Sequence, residues 1–234
     1  MTAPVEAVVF DLFGTLVPEF ARGAFFANVR ERGDALGLDP AAFEAGWSAT
    51  AMERQTGGFA TVNENVRAIC AALGIAVADE AVERALASRA AMYRDLFHPR
   101  AGAMETLAEL KARGYPIALI SMCAPDAPAM WRASPLARYV DVEVFSSEVG
   151  LRKPDEAIYR YATHALGVEP ASCLYCGDGA YGELSGAEAT GMTAYLIEDP
   201  SVDPTTSLTP EREDWGGARV ADLRELLALL PRRG

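Results

Sequence analysis

Histidine is almost missing from this chain, with two residues in 234, His98 and His164. His98 stands beside Pro99 and reads as a hinge residue, and His164 stands among charged neighbours and reads as solvated. No Ser/His/Asp relay can be assembled from so little. Cysteine is also scarce. Four residues in a chain this long do not make a disulfide framework, so reduced thiols in a cytoplasm are expected. Cys173 and Cys176 form a C-x-x-C at odd spacing within a strand-like run, which turns them to opposite faces and makes them core residues. Cys123 also reads as buried packing. No apolar run approaches the ~20 residues of a membrane span, and no basic stretch followed by an apolar one marks a secretory leader. Positive charge is in short supply: 21 Lys and Arg against 33 Asp and Glu give a net charge of −12. Nucleic acid is thereby excluded as the main partner, since its phosphates would be repelled. A small anionic substrate is not excluded, because it needs only a local cluster of donors. Internal repeats and low-complexity tracts are absent.

Half the residues are hydrophobic, enough for one large domain or for a core with a smaller insert. Short β-branched runs at 5–10, 116–120, 140–145, 173–176 and 193–197 read as buried strands. Helix-period stretches at 103–113, 156–166 and 183–190 separate the later ones, each closed by a glycine. Alternating strands and helices indicate βα units, a parallel sheet and an α/β fold. Residues 18–95 differ, with no convincing strand. They read as helices at 24–36, 40–54, 64–73 and 79–96, broken by Gly57-Gly58. The expected organisation is an α/β core at 1–17 and 96–234 with an inserted all-helical segment at 18–95. Residues 201–217 read as a long loop, and 219–230 as a closing amphipathic helix.

Each strand is followed by a polar residue. "VVFDLFGTLV" ends its strand in Asp11, and the second strand ends in Ser121. "SSEVGLRKPD" supplies Lys153, and "CGDGAYGE" supplies Asp178 and Glu183. In an open parallel sheet the carboxyl ends of the strands share one edge, where ligands bind. Two facing carboxylates need a cation, and Mg²⁺ suits oxygen ligands of this kind. Asp11 can then act as a nucleophile, Lys153 can offset its charge, and Ser121 can donate to a substrate oxygen. Glu183 can orient water around the ion.

At this point the chain resembles the haloacid dehalogenase-like (HAD) hydrolase superfamily over its whole length. "FDLFGTL" is similar to the first family motif, "ALIS" to the second, and "GLRKPDEAIY" to the third. "YCGDGAYGELSGA" resembles the phosphatase form of the fourth. The resemblance implies a Rossmann-like core with a helical cap of the first type at 18–95. It implies Asp11, Ser121 and Lys153 as catalytic residues, and Leu12, Phe13, Ser121, Met122 and Lys153 as contacts to the transferred group. Mg²⁺ would be held by Asp11, the Phe13 carbonyl, Asp178 and Glu183. Arg22, Arg30, Arg54 and Phe59 in that segment could face the crevice and choose the substrate, although an arginine on an exposed helix face is more often solvated.

Two departures pull in opposite directions. The phosphatase form of motif one has a second Asp two residues after the nucleophile, which protonates the leaving group. Here that position is Phe13. Family members that cleave carbon–halogen bonds also lack this acid, because a halide leaves without a proton. Yet those members resemble one another in a Ser-Ser-Asn stretch where this chain keeps Gly177-Asp178 and Glu183. Met122 also replaces the usual Asn of motif two. The expected activity is Mg²⁺-dependent hydrolysis of a small organic phosphate. The alternatives are 2-haloacid dehalogenation and a catalytically weak binding protein.

Overall fold

β1 (Ala7–Phe10) is apolar and wholly buried, as a strand covered on both faces must be. It lies at the centre of a six-stranded parallel sheet in the computed structural model, which describes residues 4–198, 206–208 and 212–232. The strand order is β3-β2-β1-β4-β5-β6. The other strands are β2 (Ile117–Ser121), β3 (Val142–Phe145), β4 (Cys173–Gly177), β5 (Thr193–Ile197) and β6 (Ala218–Val220). Alternation along the strands splits the core into two layers. Val8, Phe10, Leu119 and Cys176 pack on one face, and Val9, Ala118, Cys173 and Tyr175 on the other. The two cysteines thus point opposite ways, as their odd spacing requires.

Five helices fill the connection from β1 to the helix before β2: α1 (Arg22–Ala35), α2 (Pro40–Ala49), α3 (Ala51–Gln55), α4 (Val62–Ala72) and α5 (Asp79–Leu96). They bury a cluster of their own around Phe43, Trp47, Val66, Ile69 and Val82. Expected as one helix, residues 40–54 break at Thr50. Its hydroxyl bonds back to the Gly46 carbonyl at 2.9 Å, a contact that bends helices. α6 (Ala103–Ala112) leads into β2, followed by α7 (Ala127–Arg132) and α8 (Ser146–Val149). Further on, α9 (Glu156–Leu166) leads to β4 and α10 (Glu183–Thr190) to β5.

Instead of the one helix expected over 219–230, β6 pairs with β5 from Tyr195↔Ala218 to Ile197↔Val220. A 3₁₀ turn (Leu223–Glu225) and α11 (Leu226–Leu229) follow. The edge of β5 presents backbone groups that must be satisfied, and β6 does so. The Asp222 side chain then accepts from Arg224 N at 2.8 Å and starts the turn. Much of the loop expected at 201–217 falls outside the described residues.

Candidate functional site

The strand order reverses across β1, so the crevice at the carboxyl ends of β1 and β4 is where an open α/β sheet binds ligands. Register places the acids there. Phe10 pairs with Cys176, which puts Asp11 one step beyond β1 and Asp178 just past the end of β4. Both are buried. Their close approach depends on Gly14. It adopts φ +80, and a Cβ there would overlap Asp178 Oδ2. A side chain at this position would be strained and would push Asp178 away.

Lys153 joins the carboxylates. Its Nζ donates to Asp11 Oδ1 at 2.6 Å and to Glu183 Oε2 at 2.5 Å, with all three groups buried. Glu183 also accepts from the Tyr175 hydroxyl at 2.7 Å and from Gly179 N at 3.0 Å. Asp11 Oδ2 accepts from the Thr15 hydroxyl at 3.2 Å. Asp178 accepts from Ala180 N and pairs with Arg212 at 3.1 Å, while Arg212 also holds Glu19 at 2.7 Å. Burial and the Glu183 charge push Asp11 up to about 6, against the pull of Lys153. Asp178 is raised well above the usual carboxylate range by burial, Glu183 and Asp11. Burial opposes the Lys153 charge, but its two carboxylates hold it above its ordinary value. Oxygens of Asp11, Asp178 and Glu183 lie within 4.8 Å of one another. Three crowded hard donors, two of them pushed toward protonation, are a set that a small dication relieves.

The remaining sequence-predicted residues divide. Met122 is buried, and its sulfur accepts from Lys153 N at 3.4 Å. Ser121 ends β2 fully buried, and its hydroxyl has no partner among the described residues. Leu12 buries its side chain in the core, leaving only backbone to offer a ligand. Phe13 packs its ring against Phe20 at 5.1 Å, Phe97 at 5.6 Å and Tyr93 at 6.4 Å.

Asp11, Phe13, Met122 and Asp178 line a cavity of about 80 Å³ whose opposite wall is helical. That wall carries Trp47, Arg54 and Arg89. Of the four candidates in 18–95 for facing the crevice, only Arg54 lines it. Arg22 is exposed over the Phe26 ring, Arg30 pairs with Glu44 on the surface, and Phe59 is half-buried elsewhere. Nothing in the sequence singles out Arg89 and Arg32, which are buried with Arg54. The guanidiniums of Arg54, Arg32 and Arg89 lie 3.7, 4.0 and 5.1 Å from the Trp47 ring centroid. Arg89 is held by both oxygens of Asp126, at 2.7 and 2.9 Å, and by the Tyr93 hydroxyl. Arg54 donates to Asn65, Trp47 O and Thr50, all neutral. Arg32 donates through Nε to Asn28 O. Burial and the neighbouring guanidiniums push Arg32 down to about 9 and Arg54 to about 10. A desolvated cation–π contact is worth about 2 kcal/mol, less than the several kcal/mol that burying one ion costs.

A family model described as haloacid dehalogenase-like hydrolase matches residues 5–191. Phosphoserine phosphatase of Thermus thermophilus is 31% identical over 157 residues, covering 62% of this chain and 57% of that protein. (S)-2-haloacid dehalogenase 4A of Burkholderia cepacia is 28% identical over 240 residues, covering 98% and 96%. Among solved structures, a HAD phosphatase from Thermococcus onnurineus aligns with a TM-score of 0.67 at 21% identity, over 98% of this chain and 100% of that one. The L-2-haloacid dehalogenase of Xanthobacter autotrophicus, with chloropropionic acid covalently bound, gives 0.62 at 21%, over 96% and 98%.

Proposed function

Because the chain belongs to the haloacid dehalogenase-like hydrolase family, we propose that it hydrolyses a small organic phosphate, with Asp11 as nucleophile and Mg²⁺ as cofactor. The observation that carries this reading is Asp178 buried beside Asp11, with Gly14 making room for it. Asp11, Asp178 and Glu183, with backbone oxygen from Phe13, would hold the ion. When bound, it would offset the charge of the carboxylates and of the transferring group.

An Asp11 oxygen attacks phosphorus, and the bond from phosphorus to the leaving oxygen breaks. Water then attacks the phosphorus of the aspartyl-phosphate and releases phosphate, returning the Asp11 carboxylate. Lys153, at 2.6 Å from Asp11, favours the ionised form that attacks. Ser121 offers its unpartnered hydroxyl, and Met122 its backbone, to the phosphoryl oxygens. No acid stands at position 13. Among the other cavity-lining groups, Glu19 is ion-paired to Arg212, and burial pushes Cys123 up to about 12. With no carboxyl placed at position 13 to protonate the leaving oxygen, leaving groups of low pKa are favoured. We assign 18–95 as a cap over the core at 1–17 and 96–234. The four free, buried cysteines suit a reducing cytoplasm.

The aromatic surroundings of Phe13 favour a second reading, in which Asp11 displaces halide from a 2-haloacid and no leaving-group acid is needed. A panel of phosphate monoesters and short 2-haloacids, each with Mg²⁺ and with EDTA, separates the two. Phosphate release that stops with EDTA supports the phosphatase. Halide release indifferent to EDTA supports the dehalogenase, and neither product leaves a binding protein.

A further inference from the structure

The helical wall of the cavity is charged in a way the hydrolysis of a simple monoester does not require. Three buried guanidiniums surround Trp47, and Asp126 is the one carboxylate bonded to any of them among the described residues. Arg89 takes both its oxygens. Arg32 and Arg54 have no acidic partner among the described residues, in a protein with a large excess of acid.

The unsatisfied atoms point the same way. Trp47 Nε1, Arg89 Nη1 and both Nη atoms of Arg32 are buried without an acceptor among the described residues. All are donors. Water could satisfy their hydrogen bonds, but it would leave the charge uncompensated, and stacking on Trp47, with Tyr93 beside Arg89 and Phe43 beside Arg32, does not offset the burial of three cations. An acceptor that also carries negative charge does both. The cavity between this cluster and Asp11 is small, about 80 Å³, so the acceptor is a compact group. Planar guanidinium forks match a carboxylate in shape as well as charge.

We propose that Arg54 and Arg89, backed by Arg32 and with Trp47 at the centre, form a subsite for a carboxylate on the substrate, held across the cavity from Asp11. The substrate class is then a short phosphorylated carboxylic acid. This inference rests on the phosphatase reading for the identity of the other end, but not for the subsite itself.

The test uses two ligands that cannot be hydrolysed. Phosphonoacetate carries a carboxylate, and ethylphosphonate, of similar size, carries a methyl group in its place. Calorimetry on the full chain, with Mg²⁺ in excess of ligand, should find phosphonoacetate bound about tenfold tighter or more, as charge-assisted hydrogen bonds require. Arg54→Gln should remove most of that preference and Arg54→Lys should restore part of it, with near-UV circular dichroism confirming the fold. Equal affinities in the wild type would overturn the proposal whether or not the variants fold. The two readings fail separately. A carboxylate preference without phosphate release from any monoester keeps the subsite and ends the phosphatase. Phosphate release with equal affinities does the reverse.

Discussion

Replacing Phe13 with Asp would return an acid to the place where a phosphatase of this family has one, and the structure sets the cost. The ring is half-buried and makes three aromatic contacts, to Phe20, Phe97 and Tyr93. Each such pair is worth about 0.5–1.5 kcal/mol beyond simple burial. Removing a large aromatic side chain from a packed site costs about 3–5 kcal/mol in all. In a chain of this size each kcal/mol lowers the melting temperature by about 2–4 °C, so Phe13→Asp should melt roughly 6–20 °C lower. The new carboxyl would stand among rings, where burial raises its pKa and keeps it protonated, the state a general acid needs. The rate on alkyl phosphates should rise, by at most ~10²–10⁴-fold. Aryl phosphates with acidic phenols need no proton and should gain little. The assay is a leaving-group series on native and variant protein, with calorimetric melting beside it. A flat dependence on leaving-group pKa in the native protein would refute the reasoning, since another group would then already be donating the proton. An unchanged melting temperature would refute the packing half of it.

Asp11→Asn keeps the shape of the nucleophile and removes its charge, so turnover should vanish while circular dichroism stays native. Wild-type rates from the pure variant would end the covalent proposal. Asp178→Ala should weaken Mg²⁺ binding in calorimetry, and Gly14→Ala should do so too by displacing Asp178; unchanged affinity in both would leave Asp178 a loop residue. Because Asp11 titrates at about 6 against an ordinary 3.8, the folded protein holds its proton through that window. The group's contribution to metal-free stability should therefore fall as pH rises through the window, by about 3 kcal/mol at most, measured as wild type minus Asp11→Asn. Mg²⁺ should suppress the fall. A difference that rises with pH would reverse the assignment. Asp126→Asn leaves Arg89 buried without its carboxylate and should cost about 3 kcal/mol in denaturant melts, the low end for a pair with one partner near water.

The core was legible because its signals are local. A buried parallel strand is an apolar run, and each of the first five strands left one behind. β6 left none, since Ala218–Val220 is held by the edge of β5 rather than by its own apolar content. Among the candidate site residues, those just after strands could be placed because strand order carries them to one edge. Arg212 could not, because it reaches Asp178 from a C-terminal segment with no pattern of its own. Thr15 lies inside the first motif, four residues past Asp11, with no pattern that marks it as that carboxylate's donor. The arginines of the helical segment were hidden for another reason. Arg32, Arg54 and Arg89 lie on three different helices, and an arginine at helical spacing looks solvated until the helices pack. Trp47, on a fourth helix, gathers them.

That gathering sets the electrostatics of the whole cavity. Its floor holds Asp11, Asp178 and Glu19, with Glu183 behind, against Lys153 and Arg212, so acid is in excess there. Its roof holds guanidiniums in excess of Asp126. The walls do not neutralise each other by contact, because no ion pair among the described residues joins Asp11 or Asp178 to the roof arginines. A polarised cavity lined by buried charges of this kind is costly to the folded protein and strengthens the interactions made inside it. A cation at the floor relieves one excess and an anionic tail at the roof relieves the other. A substrate with a single charged end satisfies only half of the site. Loss of a substrate's carboxylate should therefore be felt at Asp11 as poorer placement of the phosphoryl group as well as weaker binding.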